Sequence, residues 1–163
     1  MSRLFWFAML LSSYFTMVDV AISKEECVFD ESYYSEKTYK NNNLIRSVVW
    51  NDEYKQAKLL TTNGSLIDVQ HWACNHIGLQ AVMILNDMER QSNQTINSKI
   101  QGMLKLLVKP ADYNKVSKLV NKMACLNKKV CKKDISIGPY SEFYIQTEHQ
   151  KHSMTVLLKY YMN

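Results

Sequence analysis

The dipeptide Asn63-Gly64, set between two runs of strand-forming residues, constrains the fold of this chain more than any other feature. Asn-Gly favours a two-residue type I′ turn, in which both central residues take positive φ and the twist matches that of the joined strands. On one side Tyr54 to Thr62 reads as a strand. On the other, Ser65 to Cys74 (SLIDVQHWAC) alternates: Ile67, Val69, His71 and Ala73 share one face, and Leu66, Asp68, Gln70, Trp72 and Cys74 the other. Apolar groups on both faces predict a central strand covered on at least part of each side. Leu44 to Trp50 (LIRSVVW) is β-branched and aromatic and supplies an earlier strand, ended by the polar break Asn51-Asp52-Glu53. Gly78 breaks the chain, and Leu79 to Leu85 (LQAVMIL) is a continuous apolar run. Its length suits a buried strand, with a helix starting near Asn75 as the alternative.

Beyond this meander the period changes. Asn86 to Ser98 reads as a polar connection. Ile96, Ile100, Met103, Leu104, Leu107 and Val108 then recur at helical spacing. Lys109-Pro110 interrupts that helix, because proline lacks a donor and restricts its predecessor, and Pro110 also suits the first turn of a second helix. Val116, Leu119, Val120, Met123 and Ala124 form the apolar stripe of that second helix. Cys125 to Asp134 reads as a stapled, lysine-rich loop, and Ile135 to Ile137 as a short strand. After the turn at Gly138-Pro139, Ser141 to Thr147 and Ser153 to Tyr161 form a hairpin around Glu148–His152. Residues 24–43 read as an irregular arm with a short helical turn, whose Tyr33, Tyr34 and Tyr39 cover one edge of the core. The expected fold is therefore α+β: a mostly antiparallel sheet with an N-terminal strand meander, two central helices and a C-terminal hairpin, stapled by disulfides.

The N-terminus predicts export. Arg3 precedes the uncharged, mostly apolar stretch Leu4 to Val18, which suits a signal h-region and is shorter than the ~20 residues that span a bilayer. Ala21-Ile22-Ser23 puts small residues at the two positions a signal peptidase reads, so cleavage is expected after Ser23. That divides the chain into a leader, 1–23, and one exported domain, 24–163, with no transmembrane anchor after cleavage and a periplasmic or extracellular destination. All four cysteines, Cys27, Cys74, Cys125 and Cys131, lie in the exported part, where an even number implies disulfides. The expected pairs are Cys125–Cys131 and Cys27–Cys74. The sequons at Asn63 and Asn93 matter only in a eukaryotic secretory pathway.

Charge is split along the chain. From Lys24 to Arg90 seven basic residues face ten acidic ones, whereas from Lys99 to Lys133 ten lysines face Asp112 alone. Lys115, Lys118, Lys122, Lys128, Lys129, Lys132 and Lys133 are solvated helix and loop residues or, functionally, a basic patch for an acidic partner or anionic surface. Nucleic acid is excluded as a partner by export and by the lack of aromatic interleaving among these lysines.

The densest group of reactive residues is Asp68, His71, Cys74 and His76. A cysteine nucleophile with a histidine base, a zinc site, or an Asp–His acid/base pair could be built from these types. Strand alternation opposes each: His71 points away from Asp68 and Cys74, and a disulfide at Cys74 removes the thiolate. His149 and His152, with Glu148, form a second small group in a loop. No GxSxG, HExxH, P-loop or dinucleotide glycine pattern occurs, so no catalytic residue, metal or cofactor is expected. The composition instead favours a small exported binding protein that inhibits or neutralises a protein partner, an acidic hydrolase or a toxin, in the manner of a periplasmic inhibitor or immunity protein. Its candidate contact surfaces are the hairpin tip at Asn63 and Gly64, the loop at His149 and His152, and the lysine face. The competing readings are a small hydrolase or metal-dependent enzyme at His71/Cys74/His76, and a surface-association protein using the basic patch.

Overall fold

The alternation read in Ser65–Cys74 recurs along the chain, and the backbone follows it. In the computed structural model, which describes residues 28–73, 76–88, 91–121, 129–139 and 141–162, the chain is α+β. After a short helix α1 (Glu36–Lys40) come β1 (Ile45–Asn51), β2 (Gln56–Thr61), β3 (Leu66–Ala73) and β4 (Ile77–Asn86). Two helices follow, α2 (Asn93–Leu107) and α3 (Pro110–Asn121), then β5 (Val130–Gly138), β6 (Ser141–His149) and β7 (Ser153–Met162). The strands form a seven-stranded sheet in the order β1-β2-β3-β4-β7-β6-β5, antiparallel at every pairing. Two meanders thus meet at β4 and β7, and α2–α3 carries the chain from the sheet centre to its far edge.

One face of the sheet holds the core. Leu59, Ile67, Val69, Leu79, Met83, Phe143, Ile145, Val156, Leu158 and Tyr160 project to it and pack with Ile96, Ile100, Met103 and Leu104 of α2 and with Val116 and Val120 of α3. The alternation along β7, in which Met154, Val156, Leu158, Tyr160 and Met162 are all buried, leaves Ser153, Thr155, Leu157, Lys159 and Tyr161 on the opposite face. Among the described residues no helix packs on that second face. Among the described residues no helix is long and apolar enough to cross a membrane.

Several boundaries differ from the sequence expectation for identifiable reasons. The hairpin tip is not type I′: only Gly64 takes positive φ (+80°), the Gly64 N–H donates to the Thr61 carbonyl, and the Thr61 N–H donates to the Ser65 carbonyl. This is a three-residue loop with glycine in the left-handed position. It is locked by Thr61 Oγ1, which donates to Asn63 Oδ1 at 2.6 Å. β2 begins at Gln56 rather than Tyr54, because Lys55 has φ 48° and belongs to the preceding turn. Helix α2 begins a turn earlier than its apolar stripe, since the Ser92 hydroxyl accepts the Thr95 N–H at 3.1 Å as an N-cap. Gly78 lies inside β4 instead of breaking the chain. Much of the Cys125–Asp134 loop is strand: Val130 to Asp134 pair with Glu148 to Tyr144, because the open edge of β6 offers backbone partners. Met123 and Ala124 lie outside the described residues. Cys131, the one described cysteine, is not a free thiol. Cys27, Cys74 and Cys125 lie outside the described residues, as does the leader.

Candidate functional site: the open face of the sheet

Period-two alternation sends one set of side chains from every strand to the uncovered face, and register stacks them in rows. One row crosses the sheet through Gln56, Gln70, Gln80, Lys159, Tyr144 and Asp134. The next passes through Val49, Lys58, Asp68, Val82, Leu157 and Gln146. Beyond it Leu60 faces Leu66, and Ile84 faces Thr155. Gln56, Gln70 and Gln80 thus border a mixed row in which Val49, Val82 and Leu157 are interspersed with polar residues, and beyond it stand Leu66 and Ile84. Leu66 and Ile84 are 60% and 54% exposed, unusual for large aliphatic residues on interior strands.

The same residues enclose a trough of about 740 Å³ over β2, β3 and β4. Leu66, Val82 and Ile84 supply its apolar surface, and Gln56, Gln70, Gln80 and Asn86 its amides. Asp68 also lines it and accepts a hydrogen bond from Gln56 Nε2 at 2.6 Å. Gln70 Nε2 donates to the Tyr54 carbonyl. Past Gln70 and Gln80, Trp72 lies across Gly78: a Cβ at Gly78 would sit 2.6 Å from the indole Nε1 and 2.8 Å from the Tyr160 carbonyl oxygen. Glycine is required there because the indole occupies the space of a side chain. Tyr161 stands beside it, ring centroids 5.4 Å apart.

Of the reactive group around His71, the structure separates the members it describes. Asp68 is on the open face. His71 is on the core face and 3% exposed, packed against Tyr34, Tyr39 and Trp50 at centroid distances of 4.5, 5.6 and 5.5 Å. Its Nδ1 lies 2.9 Å from the Lys55 carbonyl oxygen, which can only accept, so Nδ1 carries the proton. Nε2 is therefore the acceptor for the Tyr39 hydroxyl at 2.5 Å. Burial lowers the His71 pKa from 6.5 to about 4, with the Lys55 hydrogen bond opposing it. Burial likewise raises the hydroxyl pKa values of Tyr34 and Tyr39 well above their ordinary value. A neutral imidazole with both nitrogens engaged is a structural part. His76 is exposed just before β4, and Cys74 lies outside the described residues.

The lysine face is divided. Lys115 and Lys118 are exposed on α3, and Lys115 Nζ donates to the Ile137 carbonyl of β5. Lys133 points to the helix side of edge strand β5, Lys132 to the open face, and Lys129 is exposed just before the strand. Lys122 and Lys128 lie outside the described residues. At the hairpin tip, Asn63 is spent on the turn and leans on α2, its Nδ2 3.5 Å from where a Cβ of Gly102 would stand. The His149 N–H donates to the Lys129 carbonyl at 2.8 Å, while His152 is exposed in the following turn. Among the described residues no group of three or more His, Cys, Asp or Glu is placed to hold a metal.

Sequence reasoning does not reach the trough. The run Leu79–Leu85 reads as uniformly apolar, whereas its alternation sends Leu79, Ala81, Met83 and Leu85 inward and Gln80, Val82 and Ile84 outward. The alternating signal was present, but only the sheet order aligns Gln80 with Gln70 and Gln56. No known family model matches this chain, and no curated protein or solved structure matches it.

Proposed function

We propose that the protein is an exported, disulfide-stapled binding protein that inhibits or neutralises a protein partner through the open face of its sheet. The observation that carries this reading is the one-sided covering of the sheet. The helices bury one face, and the other exposes Val49, Leu66, Ile84 and Val130 to solvent. Leu66 and Ile84 sit side by side on β3 and β4, with Val49 and Val130 at the two opposite edges, and an exposed apolar pair on a rigid surface favours association with a macromolecule. A hydrolase at His71 lacks comparable support, since Asp68 and His71 lie on opposite faces and the imidazole is buried.

The export and stapling parts of the proposal rest on the apolar leader and the oxidised state of Cys131. N-terminal sequencing of the secreted product should begin at Lys24. Intact mass after alkylation without reduction should show no added label on any cysteine. The binding part is tested by expressing the full chain from its own leader with a C-terminal tag and capturing its partners from envelope and secreted fractions. One dominant hydrolase or toxin, recovered near equal stoichiometry and inhibited by the purified protein, is the expected result. No stoichiometric partner, or a partner whose activity is unaffected, refutes the reading.

One further observation favours surface association instead. Between Asn93 and Asn121 the helical layer carries Lys99, Lys105, Lys109, Lys115 and Lys118 against Asp112, whose carboxylate accepts the Tyr160 hydroxyl. Binding to anionic lipid or polymer through this layer would weaken steeply with salt. Salt-insensitive partner capture argues for the open face.

A further inference from the structure

We infer that the partner enters the trough over β2, β3 and β4, and that what enters is an uncharged, extended protein segment anchored by an aliphatic or aromatic side chain. This inference rests on the binding reading above and adds the place and chemistry of the contact.

The strands beneath the trough are interior. β3 is paired with β2 and β4, and β4 with β3 and β7, so their backbone groups are already used in the ladders. A partner cannot add a strand there and must be held by side chains. The sheet edges are poor alternatives. β1 carries a register shift between Ile45 and Ser47, and β5 presents Lys132 and Lys133. Both features discourage edge-to-edge pairing.

Charge selects the occupant. Asp68 is the one ionisable residue among those lining the trough, and it already accepts from Gln56, with Lys58 directly opposite it in the strand pair. An acidic side chain entering here would face Asp68, and a basic one would have to compete with Lys58 and Gln56 for it, so both are disfavoured against an uncharged one. Amides are suited to the opposite case. Each primary carboxamide both donates and accepts, so Gln70, Gln80 and Asn86 can match the N–H and C=O of a peptide backbone independently of its sequence. The aliphatic surface of Leu66, Val82 and Ile84 takes the anchoring side chain. Beyond Gln70 and Gln80 on the same face stand Trp72 and Tyr161, residue types enriched where binding energy concentrates. From Leu66 to Trp72 the outward side of β3 runs about 20 Å, the reach of an extended segment of about six residues.

The test uses the full, natively processed chain and a displayed heptapeptide library as the probe. Enriched peptides should be uncharged and carry an aliphatic or aromatic anchor. The best of them, made synthetically, should shift the methyl resonances of Leu66, Val82 and Ile84. Ile84→Glu, at an exposed position, should weaken binding at least about tenfold, the loss of one anchoring contact. The double variant K115E/K118E, on the helix side, should change it less than about twofold. Leu66→Glu provides a second variant should Ile84→Glu lower the melting temperature. Absence of enrichment, acidic consensus peptides that depend on the lysine pair, or shifts on another surface would each overturn the inference. Displacement of the peptide by a neutral hexasaccharide with the same methyl shifts would reassign the trough to a glycan. Capture of the natural partner undiminished by Ile84→Glu sinks the trough while leaving the binding reading intact. Failure of the unaltered protein to capture any partner sinks the binding reading.

Discussion

Protonating His71 should destabilise the fold by an amount large enough to isolate in a pH titration. The imidazole is 3% exposed, donates from Nδ1 to the Lys55 carbonyl and accepts from the Tyr39 hydroxyl at Nε2. A proton added at Nε2 replaces an acceptor with a donor facing a hydroxyl that now donates, inside a cage of Tyr34, Tyr39 and Trp50. The native state therefore prefers the neutral ring, and its pKa falls from 6.5 to about 4. Because the folded value lies below the unfolded one, this contribution is fully present above 6.5 and disappears as pH falls toward 4. The loss accumulates at about 1.4 kcal/mol per pH unit and reaches about 3 kcal/mol. Below about 4 both states are protonated and the group adds nothing more. Asp30 and Asp52, whose carboxyls are held below 3.8 by hydrogen bonds from Ser32 and Lys55, act below this window. Urea denaturation of the native protein and of His71→Gln, measured from neutral pH to about 4, gives the comparison. Glutamine can accept from Tyr39 and donate to Lys55 without titrating. The native curve should fall about 3 kcal/mol further than the variant's across the window. Parallel curves would refute both the burial argument and the assigned tautomer.

Other positions give sharper local tests. Gly78→Ala should destabilise by about 1–3 kcal/mol and shift tryptophan emission, because a methyl there meets both the Trp72 indole and the Tyr160 backbone; unchanged emission and melting would show that the indole does not lie across Gly78. Gly64→Ala meets no atom within 4 Å, so its cost of about 1 kcal/mol should come from the positive φ alone. An equally stable Gly64→Ala variant would refute the three-residue loop. Ser92→Ala should lower stability by about 1 kcal/mol by removing the α2 cap, read as a drop in the urea midpoint with unchanged slope. A midpoint unchanged within error would mean that α2 starts elsewhere.

The α+β class, the order of strands and helices, and most element positions were legible in the chain itself. Local rules are strong there: alternation in Leu66–Ala73 and Ser153–Met162, helical spacing from Ile96 to Leu107, and Pro110 at the start of α3 are set by residues near one another in sequence. The opposition of Asp68 and His71 was legible for the same reason, since adjacent strand positions alternate in direction. Other features depend on partners distant in sequence. Val130 to Asp134 become strand because β6 offers an open edge, and Gly78 belongs in β4 because its backbone pairs with Trp72 and Tyr161 on the two neighbouring strands. The trough is of this second kind. Gln56, Gln70 and Gln80 come from three strands, and it is the antiparallel register that brings their amides into one row beside Leu66, Val82 and Ile84. Sequence therefore determined which way each side chain points along its own strand. Tertiary structure decided which side chains share a surface, because pairing register is fixed by burying the opposite face of the sheet against the helices.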